Sequence, residues 1–414
     1  MPVKSIDGRK PMAWAEKHGK GWRVRYWKDD GTLGSISGFP TKTAADDHAD
    51  TMESDQRRGT WIDPAAGKLS LAEWTVDWLD ALDVSRNTET QYRSLLNNHI
   101  LPRWGETSLS GITGIAVAAW AKKVRASGYA AATVQTMMKI LSMLLADAAD
   151  EKLIAANPIR PRRRGRRQRT KMRERMWATP EEALRLADNA ALLLGPWAAV
   201  LIATAAWTGA RWGELTGLQR TNIHLDDGCF EIDPDIGALH EINGHFELGP
   251  PKTAESARTI TLPPFLIDLL RVLLDSHDHP HAFISAEGEY LRRSNFGRRA
   301  MRPAADGNLN RKAPPVWIQP VKPGLTFHGL RHSHKTWMIA DGVPEIAQAA
   351  RLGHTLEDKM QKVYSHIAAE VEHRLLDGLQ ARWTNAVACV GSDTGINDWR
   401  KDSQFGVDTG RFTG

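Results

Sequence analysis

Cysteine is nearly absent from this chain of 414 residues, in which only Cys229 and Cys389 occur. Two cysteines cannot supply a disulfide framework or a cysteine-rich metal site, so we expect a reduced, cytoplasmic setting. No stretch of about 18 apolar residues predicts a membrane span. The first residues also lack the apolar stretch typical of a signal peptide. These absences argue against disulfide-rich secreted proteins and against membrane-spanning proteins.

Acidic residues are scarce in residues 159–175, where Glu174 is the only acid. The basic residues of this segment are Arg160, Arg162, Arg163, Arg164, Arg166, Arg167, Arg169, Lys171, Arg173 and Arg175. So dense a run of like charge cannot pack into a core, so we predict a linker between two domains. It is either a solvated tether or a linker that lies along nucleic acid. Arginine favours the second interpretation, because guanidinium groups bind phosphate in bidentate fashion. The candidate DNA contacts are Arg162, Arg163, Arg164, Arg166 and Arg167.

Residues 1–65 predict a small strand–strand–helix domain. Apolar and basic residues alternate around Val24, as in a half-buried strand, and Asp30-Gly31 is a hairpin-turn signal. A polar helical run follows and stops at Gly59. Two interpretations stay open: a minor packing domain, or a nucleic-acid-binding sheet that presents Arg23 and Arg25 on its face.

Residues 66–158 predict a bundle of four helices. The stretch "SLAEWTVDWLDAL" has apolar residues at helical spacing, with Ser70 and Glu73 as a capping box. The second predicted helix ends before Pro102. The last helix, within "AAATVQTMMKILSMLLADAADEKLI", is apolar around its middle, and we interpret its methionines and leucines as core rather than as a cofactor site.

Residues 176–385 predict a mixed α/β domain, and residues 386–414 a polar, glycine-rich tail that is expected to be poorly ordered. In "ATAAWTGARWGELTGLQ", a helix breaks just before Arg211, and Glu214 lies three residues further on the same helix face. Such a pair is usually a surface salt bridge. The stretch "ELGPPKTAESARTITLP" predicts strand, turn and strand, with Lys252 beside the hairpin turn.

The stretch "FHGLRHSHKT" gathers His328, His332 and His334 around Arg331 on a helix that Thr326 caps. Three close histidines suggest a metal site, but the run contains no carboxylate and the arginine would repel a cation. We therefore predict no metal, and the alternative is a site that holds an anion.

Further along, a helix that begins at Pro344 breaks at Gly353-His354. Another predicted helix follows and carries Tyr364, one of only five tyrosines in the chain. Each of these stretches taken alone has an ordinary structural explanation.

In this order, the stretches closely resemble the catalytic domain of the tyrosine recombinases, the phage-integrase family. The resemblance covers about residues 176–385. The family's first arginine falls on Arg211, its acidic companion on Glu214 and its β-hairpin lysine on Lys252. Its His-x-x-Arg motif falls on His328 and Arg331. Its next histidine falls on His354 and its nucleophile on Tyr364. Residues 66–158 resemble the family's core-binding, SAM-like domain, and residues 1–65 its arm-binding domain.

The resemblance implies a mixed, multidomain fold. It comprises a small β-β-α N-terminal domain, an all-α four-helix core-binding domain, and a mainly α catalytic domain with a small antiparallel β-sheet. The implied activity is site-specific DNA recombination that integrates or excises a phage or mobile-element genome. Tyr364 would form a covalent 3′-phosphotyrosine, and strand exchange would pass through a Holliday junction.

Elementary chemistry fits these roles. Arg211 and Arg331 would hold the non-bridging phosphate oxygens, and Lys252 would protonate the leaving 5′-oxygen. His328 would accept the proton of the attacking phenol, and His354 would donate to the phosphate. On this assignment the anion is bound by His328 and Arg331 on one face of the helix, and His332 and His334 are structural side chains that point elsewhere. No metal or other cofactor is required, because the arginines supply the positive charge.

The implied partners are double-stranded DNA attachment sites, at the core and at separate arm sites, bound by a homotetramer with a possible accessory host factor or excisionase. The expected location is the bacterial cytoplasm at the nucleoid. Two alternatives stay open. One is a type IB-like topoisomerase that acts alone, and the other is a catalytically inactive DNA-binding regulator on the same scaffold.

Overall fold

The computed structural model describes residues 11–28, 31–63, 65–159, 175–354, 367–391 and 399. Contacts divide the chain into two compact units, Met1–Gln168 and Arg169–Gly414, and each is described by itself. Within the described ranges, no helix is both long and apolar enough to cross a membrane.

The first unit begins with a three-stranded antiparallel sheet covered by one helix. The elements are β1 (Ala13–His18), β2 (Gly21–Trp27), β3 (Leu33–Phe39) and α1 (Lys42–Arg57). Val24 and Tyr26 point from β2 into a small core, where Ala45, Ala49 and Met52 of α1 are also buried. Because side chains alternate along a strand, the arginines of β2 lie on the opposite face.

The predicted β-β-α domain is therefore present, with one additional strand. The strand that was not predicted, β1, has the sequence "AWAEKH". Its alanines have little intrinsic preference for strands, so pairing with β2 rather than local propensity makes this segment extended. Gly19, at φ +63°, permits the tight turn between the two strands.

The rest of the first unit is helical. Its helices are α2 (Leu71–Asp80), α3 (Arg86–Leu95), α4 (Leu101–Trp104), α5 (Gly114–Ala126) and α6 (Ala131–Asp150). The predicted capping box forms at the start of α2, where Glu73 N donates to Ser70 Oγ over 3.2 Å and Ser70 N to Glu73 Oε2 over 2.9 Å. The indole N–H of Trp78 donates to Asp147 Oδ2 over 2.6 Å and ties α2 to α6. The buried face of α6 includes Met137 and Leu144, as expected for core.

The predicted end of the second helix before Pro102 was wrong. Residues Leu96–Ile100 form a π-helical turn that connects α3 to α4, so the helical run continues through Pro102 to Trp104. A proline has no N–H to donate and disturbs the preceding turn. The wider turn accommodates it, with Leu101 N donating to Leu96 O.

The second unit is built around α8 (Pro196–Thr208), whose residues from Ala198 onward are buried. The surrounding helices are α7 (Pro180–Leu194), α9 (Trp212–Thr216), α10 (Pro264–Asp275), α11 (Arg293–Phe296), α12 (Arg302–Asp306), α13 (Phe327–Ala340), α14 (Glu345–Leu352) and α15 (Ala369–Gly391). Trp207, near the end of α8, packs edge-to-face on Trp337 of α13 and on Trp383 of α15. Its indole N–H donates to Leu379 O of α15 over 3.1 Å.

The strands of this unit form two small antiparallel sheets. One has the order β4–β5–β8, from Ile223–His224, Cys229–Ile232 and Arg258–Thr261; the other pairs β6 (Ala238–Ile242) with β7 (His245–Gly249). The segments on either side of Lys252, β7 and β8, are both strands but pair with different partners. The hairpin predicted there was therefore wrong, because each strand found its partner elsewhere in the chain.

Residues 292–325 are rich in arginine and lysine, and part of this segment is helical. A π-helical turn at Gly297–Met301 joins α11 to α12, and Ala300 and Ala304 are buried against the core. After α12, Asn308 holds the following loop by bonds to Val316 O and Ile318 N, both of 2.8 Å. The three domains of the fold-class prediction are all confirmed in their secondary-structure type.

Candidate active site

Arg211 lies at the start of α9, where two neighbouring segments hold its guanidinium. Its Nη1 donates to Glu214 Oε1 over 2.5 Å and to Ser256 Oγ over 2.7 Å, and its Nη2 donates to Gly353 O over 3.2 Å. Glu214 also accepts from the backbone N of Arg211 over 2.9 Å, which satisfies one of the N–H groups left free at the start of the helix. The pair is not the surface salt bridge that its spacing suggests, because the Glu214 side chain is only 2% exposed.

Arg331 lies in the first half of α13 and is 4% exposed. Its Nη1 donates to Gly209 O over 2.6 Å, and its Nη2 donates to Leu352 O. Burial, followed by the neighbouring Arg211, lowers the pKa of Arg331 to about 9, which still leaves the guanidinium charged at pH 7. Two permanently positive groups thus approach each other at one end of α8, and such a site favours an anion.

Two glycines in left-handed conformation make this close approach possible. Gly209 ends α8 at φ +68°, and Gly353 ends α14 at φ +61°. A Cβ at residue 353 would lie 2.7 Å from Glu255 O, and one at residue 209 would lie 2.9 Å from the His334 ring. Any larger side chain would therefore displace the backbone that accepts hydrogen bonds from the two arginines.

His328 lies one turn before Arg331 with its side chain exposed. Desolvation of the ring, and then the neighbouring His332 and Arg331, lower the pKa of His328 to about 4. The imidazole is neutral at pH 7 and has a lone pair available to accept a proton.

His332 was predicted to point away from His328, and this was wrong. Its ring packs on that of His328, with 4.8 Å between the ring centroids. Its Nε2 also lies 3.2 Å from Arg175 Nη1. The prediction failed because residues four apart on a helix share a face.

His334 is structural, as its lack of exposure indicates. Its Nε2 accepts from Arg351 Nε over 2.9 Å, so its Nδ1 must donate to Ala206 O, 3.0 Å away. Burial and then the nearby Arg351 hold the pKa of His334 well below its usual value. Because this ring turns into the core while His328 is exposed, the three histidines do not converge on one point.

His354 follows the end of α14 and is exposed. Desolvation of the ring, and then the positive charges of Arg331 and Lys335, lower the pKa of His354 to about 4. The ring is therefore neutral at pH 7, and one of its nitrogens carries a proton that it can donate to an anion.

Lys252 is exposed in the connection between β7 and β8. The structure brings Arg211, Glu214 and Arg331 together. His328 lies on the same helix as Arg331, and His354 directly follows Gly353, whose carbonyl accepts from Arg211. Tyr364 lies outside the described residues, as do the linker arginines at 162–164, 166 and 167.

The sequence profile of the Phage integrase family matches residues 176–370. Residues 176–370 are therefore a tyrosine recombinase catalytic domain of the phage integrase family.

Sequence similarity to known integrases extends over most of the recombinase chain. The integrase assigned to prophage phiRv2 of Mycobacterium tuberculosis is 28% identical over 360 residues, which cover 84% of this chain and 89% of the relative. The integrase of Mycobacterium phage L5 is 27% identical, with coverages of 72% and 77%.

Solved structures resemble the recombinase in fold. The integrase of transposon Tn1549, in complex with a circular intermediate DNA, matches with a TM-score of 0.58 at 16% identity and covers 75% of this chain and 99% of its own. A lambda integrase tetramer bound to a Holliday junction matches with a TM-score of 0.50 at 18% identity, with coverages of 87% and 98%.

Sequence reasoning did not select two arginines that surround the recombinase site. Arg258 donates to Glu214 Oε2 over 3.0 Å, and Arg351 donates to His334. The only signal in the sequence was position, since Arg258 begins a strand six residues after Lys252 and Arg351 lies three residues before His354. Arginines are common at such positions without any role, so the partners had to be seen in three dimensions.

The recombinase has a second candidate site on the exposed face of the N-terminal sheet. Arg23 and Arg25 lie on this face, opposite Glu16 and Trp14 of β1. Arg23 Nε donates to Glu16 Oε2 over 2.6 Å, which lowers the pKa of Glu16. An arginine and an aromatic ring on a free sheet face are typical of nucleic-acid contacts, and packing against α1 does not use them.

Proposed function

We propose that this recombinase cuts and rejoins DNA at specific sites through a covalent 3′-phosphotyrosine intermediate and a Holliday junction. The observation that carries the proposal is the pairing of Arg211 and Arg331 through adjacent carbonyls, Gly353 O and Leu352 O. The two guanidinium groups are thereby fixed before any DNA binds, so that neither has to be reorganised when a phosphate arrives.

Arg211 is the group proposed to meet the scissile phosphate most directly. Its bonds to Glu214, Ser256 and Gly353 use three of the five N–H groups of a guanidinium, which leaves two for phosphate oxygens. Arg331, which is more deeply buried, adds positive charge where solvent screens it least. His354, neutral and exposed, would donate its N–H to another oxygen of the same phosphate.

Protons must move at both ends of the reaction. The nucleophile proposed from the resemblance is Tyr364, and a phenol needs a base because it ordinarily keeps its proton at neutral pH. His328, neutral at pH 7, is proposed to accept this proton. Lys252 is proposed to protonate the leaving 5′-oxygen, since an exposed lysine in a connection between strands can reach a bound backbone without rearranging the core.

The proposed partner is double-stranded DNA, bound by four copies of the chain. The lambda integrase tetramer on a Holliday junction supports this assembly. We further propose that residues 66–158 and 176–385 bind the core site, that residues 159–175 cross the backbone between them, and that the sheet with Arg23 and Arg25 binds arm sites. An accessory host factor or excisionase, and action at the nucleoid of a bacterial host, complete the proposal.

Two alternative activities predict different products from the same DNA. A type IB-like topoisomerase would relax supercoiled plasmid as a monomer without exchanging strands. A catalytically inactive regulator would bind the site and leave every phosphodiester intact. The buried support of Arg211 and Arg331 favours an active enzyme, because a protein that only binds DNA has no need to preorganise two arginines on one phosphate.

The test is covalent capture on nicked DNA. A duplex pool with a randomised core is incubated with the full chain, and covalent complexes are isolated and sequenced to define the site. A nicked duplex of that sequence should then trap the wild type, with Tyr364 carrying the DNA in peptide mass spectra. Tyr364→Phe should give no complex, while Tyr290→Phe, which loses only a hydroxyl contact with His281 in the same unit, should match the wild type.

Two results would contradict the proposal. Capture by Tyr364→Phe would remove the assigned nucleophile. Failure of the wild type to capture any DNA would remove the covalent mechanism. Supercoil relaxation without recombinant product, in a plasmid carrying two copies of the selected site, would favour the topoisomerase.

A further inference from the structure

Three consecutive carbonyl groups at the end of α14 each accept a hydrogen bond from a different arginine. Arg258 Nε donates to Arg351 O over 2.7 Å, Arg331 Nη2 donates to Leu352 O, and Arg211 Nη2 donates to Gly353 O over 3.2 Å. The last carbonyls of a helix have no partner within the helix. Here arginines supply the partners, and two of these arginines are the proposed phosphate ligands.

The third arginine, Arg258, has no role in the proposed chemistry. Its side chain is 7% exposed, against 23% for Arg211, so it is poorly placed to meet a phosphate itself. Its three bonds reach three separate segments. Besides Arg351 O, it donates from Nη2 to Glu214 Oε2 over 3.0 Å and from Nη1 to Ser256 O over 2.6 Å.

Each segment that Arg258 holds also holds Arg211. Glu214 gives one carboxylate oxygen to Arg211 and the other to Arg258. Ser256 gives its hydroxyl to Arg211 and its carbonyl to Arg258. The turn that ends α14 gives Gly353 O to Arg211 and Arg351 O to Arg258. Arg211 and Arg258 therefore share all three supports without bonding to each other.

We infer that Arg258 is a positioning residue for strand cleavage, which fixes the three groups that aim Arg211 at the scissile phosphate. The inference rests on the proposed role of Arg211 as a phosphate ligand. A lysine in place of Arg258 keeps the charge but cannot reach three acceptors in a fixed plane. A glutamine leaves Glu214 paired with Arg211 alone, which allows the carboxylate and the guanidinium to shift together.

A purely structural arginine would lower the amount of folded protein without a preference for the substrate's charge. A positioning residue has a different signature, because Arg211 matters only while the phosphate oxygens are charged. A methylphosphonate at the scissile position replaces one non-bridging oxygen by a methyl group and removes the negative charge. Defects that arise from a misplaced Arg211 should therefore shrink on the methylphosphonate substrate, while folding defects should stay the same.

The experiment measures single-turnover formation of the covalent complex at saturating DNA, with full-length protein and both substrates. The variants are Arg258→Gln, Arg258→Lys, Arg211→Ala and the double variant Arg211→Ala/Arg258→Gln. Arg271→Gln is the matched control, since Arg271 forms exposed ion pairs on α10 away from the site. The concentration of folded protein is taken from calorimetry, so that rates refer to folded molecules.

On the phosphodiester we expect Arg258→Gln to be roughly 10²–10³-fold slower than the wild type, as for removal of a preorganised donor, with DNA affinity changed by less than about threefold. On the methylphosphonate the same variant should lose less than about tenfold. The double variant should be no more than about threefold slower than Arg211→Ala, because the two changes disable one function. Arg258→Lys should fall between wild type and Arg258→Gln, and it carries the test if the glutamine variant does not fold.

Three results would overturn the inference. These are wild-type rates in the Arg258 variants, equal losses on both substrates, or losses that multiply in the double variant. A wild type that cleaves neither substrate would instead overturn the proposed function, and this outcome is distinct because it is seen before any variant is compared.

Discussion

Replacing Glu214 by glutamine would remove the buried carboxylate on which two arginines depend. The side chain is 2% exposed and accepts from Arg211 Nη1, from the backbone N of Arg211 and from Arg258 Nη2. Burial alone would raise the pKa of Glu214, but Arg258 and Arg211 outweigh it and hold the pKa below its usual value. The group is thus ionised at pH 7, and its charge offsets two neighbouring positive charges.

The expected cost follows from what remains after the change. Arg258, whose side chain is 7% exposed, would stay buried without an acidic partner among these contacts. Removing one member of a buried charge pair costs about 3–5 kcal/mol. In a unit of about 250 residues, 1 kcal/mol lowers the melting temperature by roughly 2–4 °C, so the midpoint of this unit should fall by roughly 6–20 °C.

Calorimetry of the full chain at pH 7 provides the measurement, because the two compact units can unfold in separate transitions. The Arg271→Gln variant should change the midpoint by no more than about 4 °C, since exposed ion pairs contribute about 0–1 kcal/mol. The lowered pKa of Glu214 also determines whether the free energy of unfolding rises or falls with pH. A carboxylate whose pKa is lowered in the folded state stabilises the fold above its unfolded pKa, and this contribution is lost as the pH falls through the folded value. A Glu214→Gln midpoint within about 3 °C of wild type would refute the reasoning.

Further predictions concern a glycine, a buried histidine and the linker. Gly353→Ala should lose about 1–2 kcal/mol from its left-handed conformation and should also slow covalent capture at least tenfold. Gly288→Ala is the control, because it shares the positive φ, at +80°, but its Cβ would meet nothing within 4 Å; equal rates in both variants would contradict the steric argument. The pKa of His334 is lowered by folding, so the unfolded chain binds a proton below about pH 6.5 that the folded chain does not. The free energy of unfolding should therefore fall as the pH drops from 7 to 5, by up to about 1.4 kcal/mol per pH unit, and His334→Gln should flatten this slope; an unchanged slope would exclude His334 as its source. Replacing the three arginines at 162–164 by alanine should lower the slope of log K against log salt for core-site binding by about 2.7, and an unchanged slope would remove them from the interface.

Local signals predicted the elements of this fold well. The capping box of Ser70 and Glu73, the cap of α13 at Thr326 and the end of α14 at Gly353 all occur where the sequence indicates them. Such signals depend on residues within one turn of each other, so one sequence is enough to reveal them. Strand β1 carried no comparable signal, since its pairing with β2 decides its conformation.

The features that could not be predicted from the sequence depend on contacts between segments that are far apart in the chain. The stretch around Lys252 has strands on both sides, but each strand pairs with another segment. Arg258 and Arg351 gain their importance from partners 44 and 17 residues away, to which no local pattern points. The direction of His332 was predicted wrongly for a different reason, because residues four apart on a helix share a face and its ring packs on that of His328. The structure shows where Arg211, Glu214 and Arg331 lie, but the roles of all seven candidate residues stay predictions: Arg211, Glu214, Lys252, His328, Arg331, His354 and Tyr364.

The contacts of Trp207 make the surroundings of the arginine cluster depend on α15, which is synthesised later. Its indole N–H and ring contact α15, whereas its backbone carbonyl accepts from Arg351 Nη2 over 3.2 Å, beside the arginine cluster. A nascent chain that has not yet released residues 369–391 from the ribosome lacks this support, although Arg211 and Arg331 are already made. Domains fold as units during translation. We therefore expect the candidate site to be completed only when α15 emerges from the ribosome.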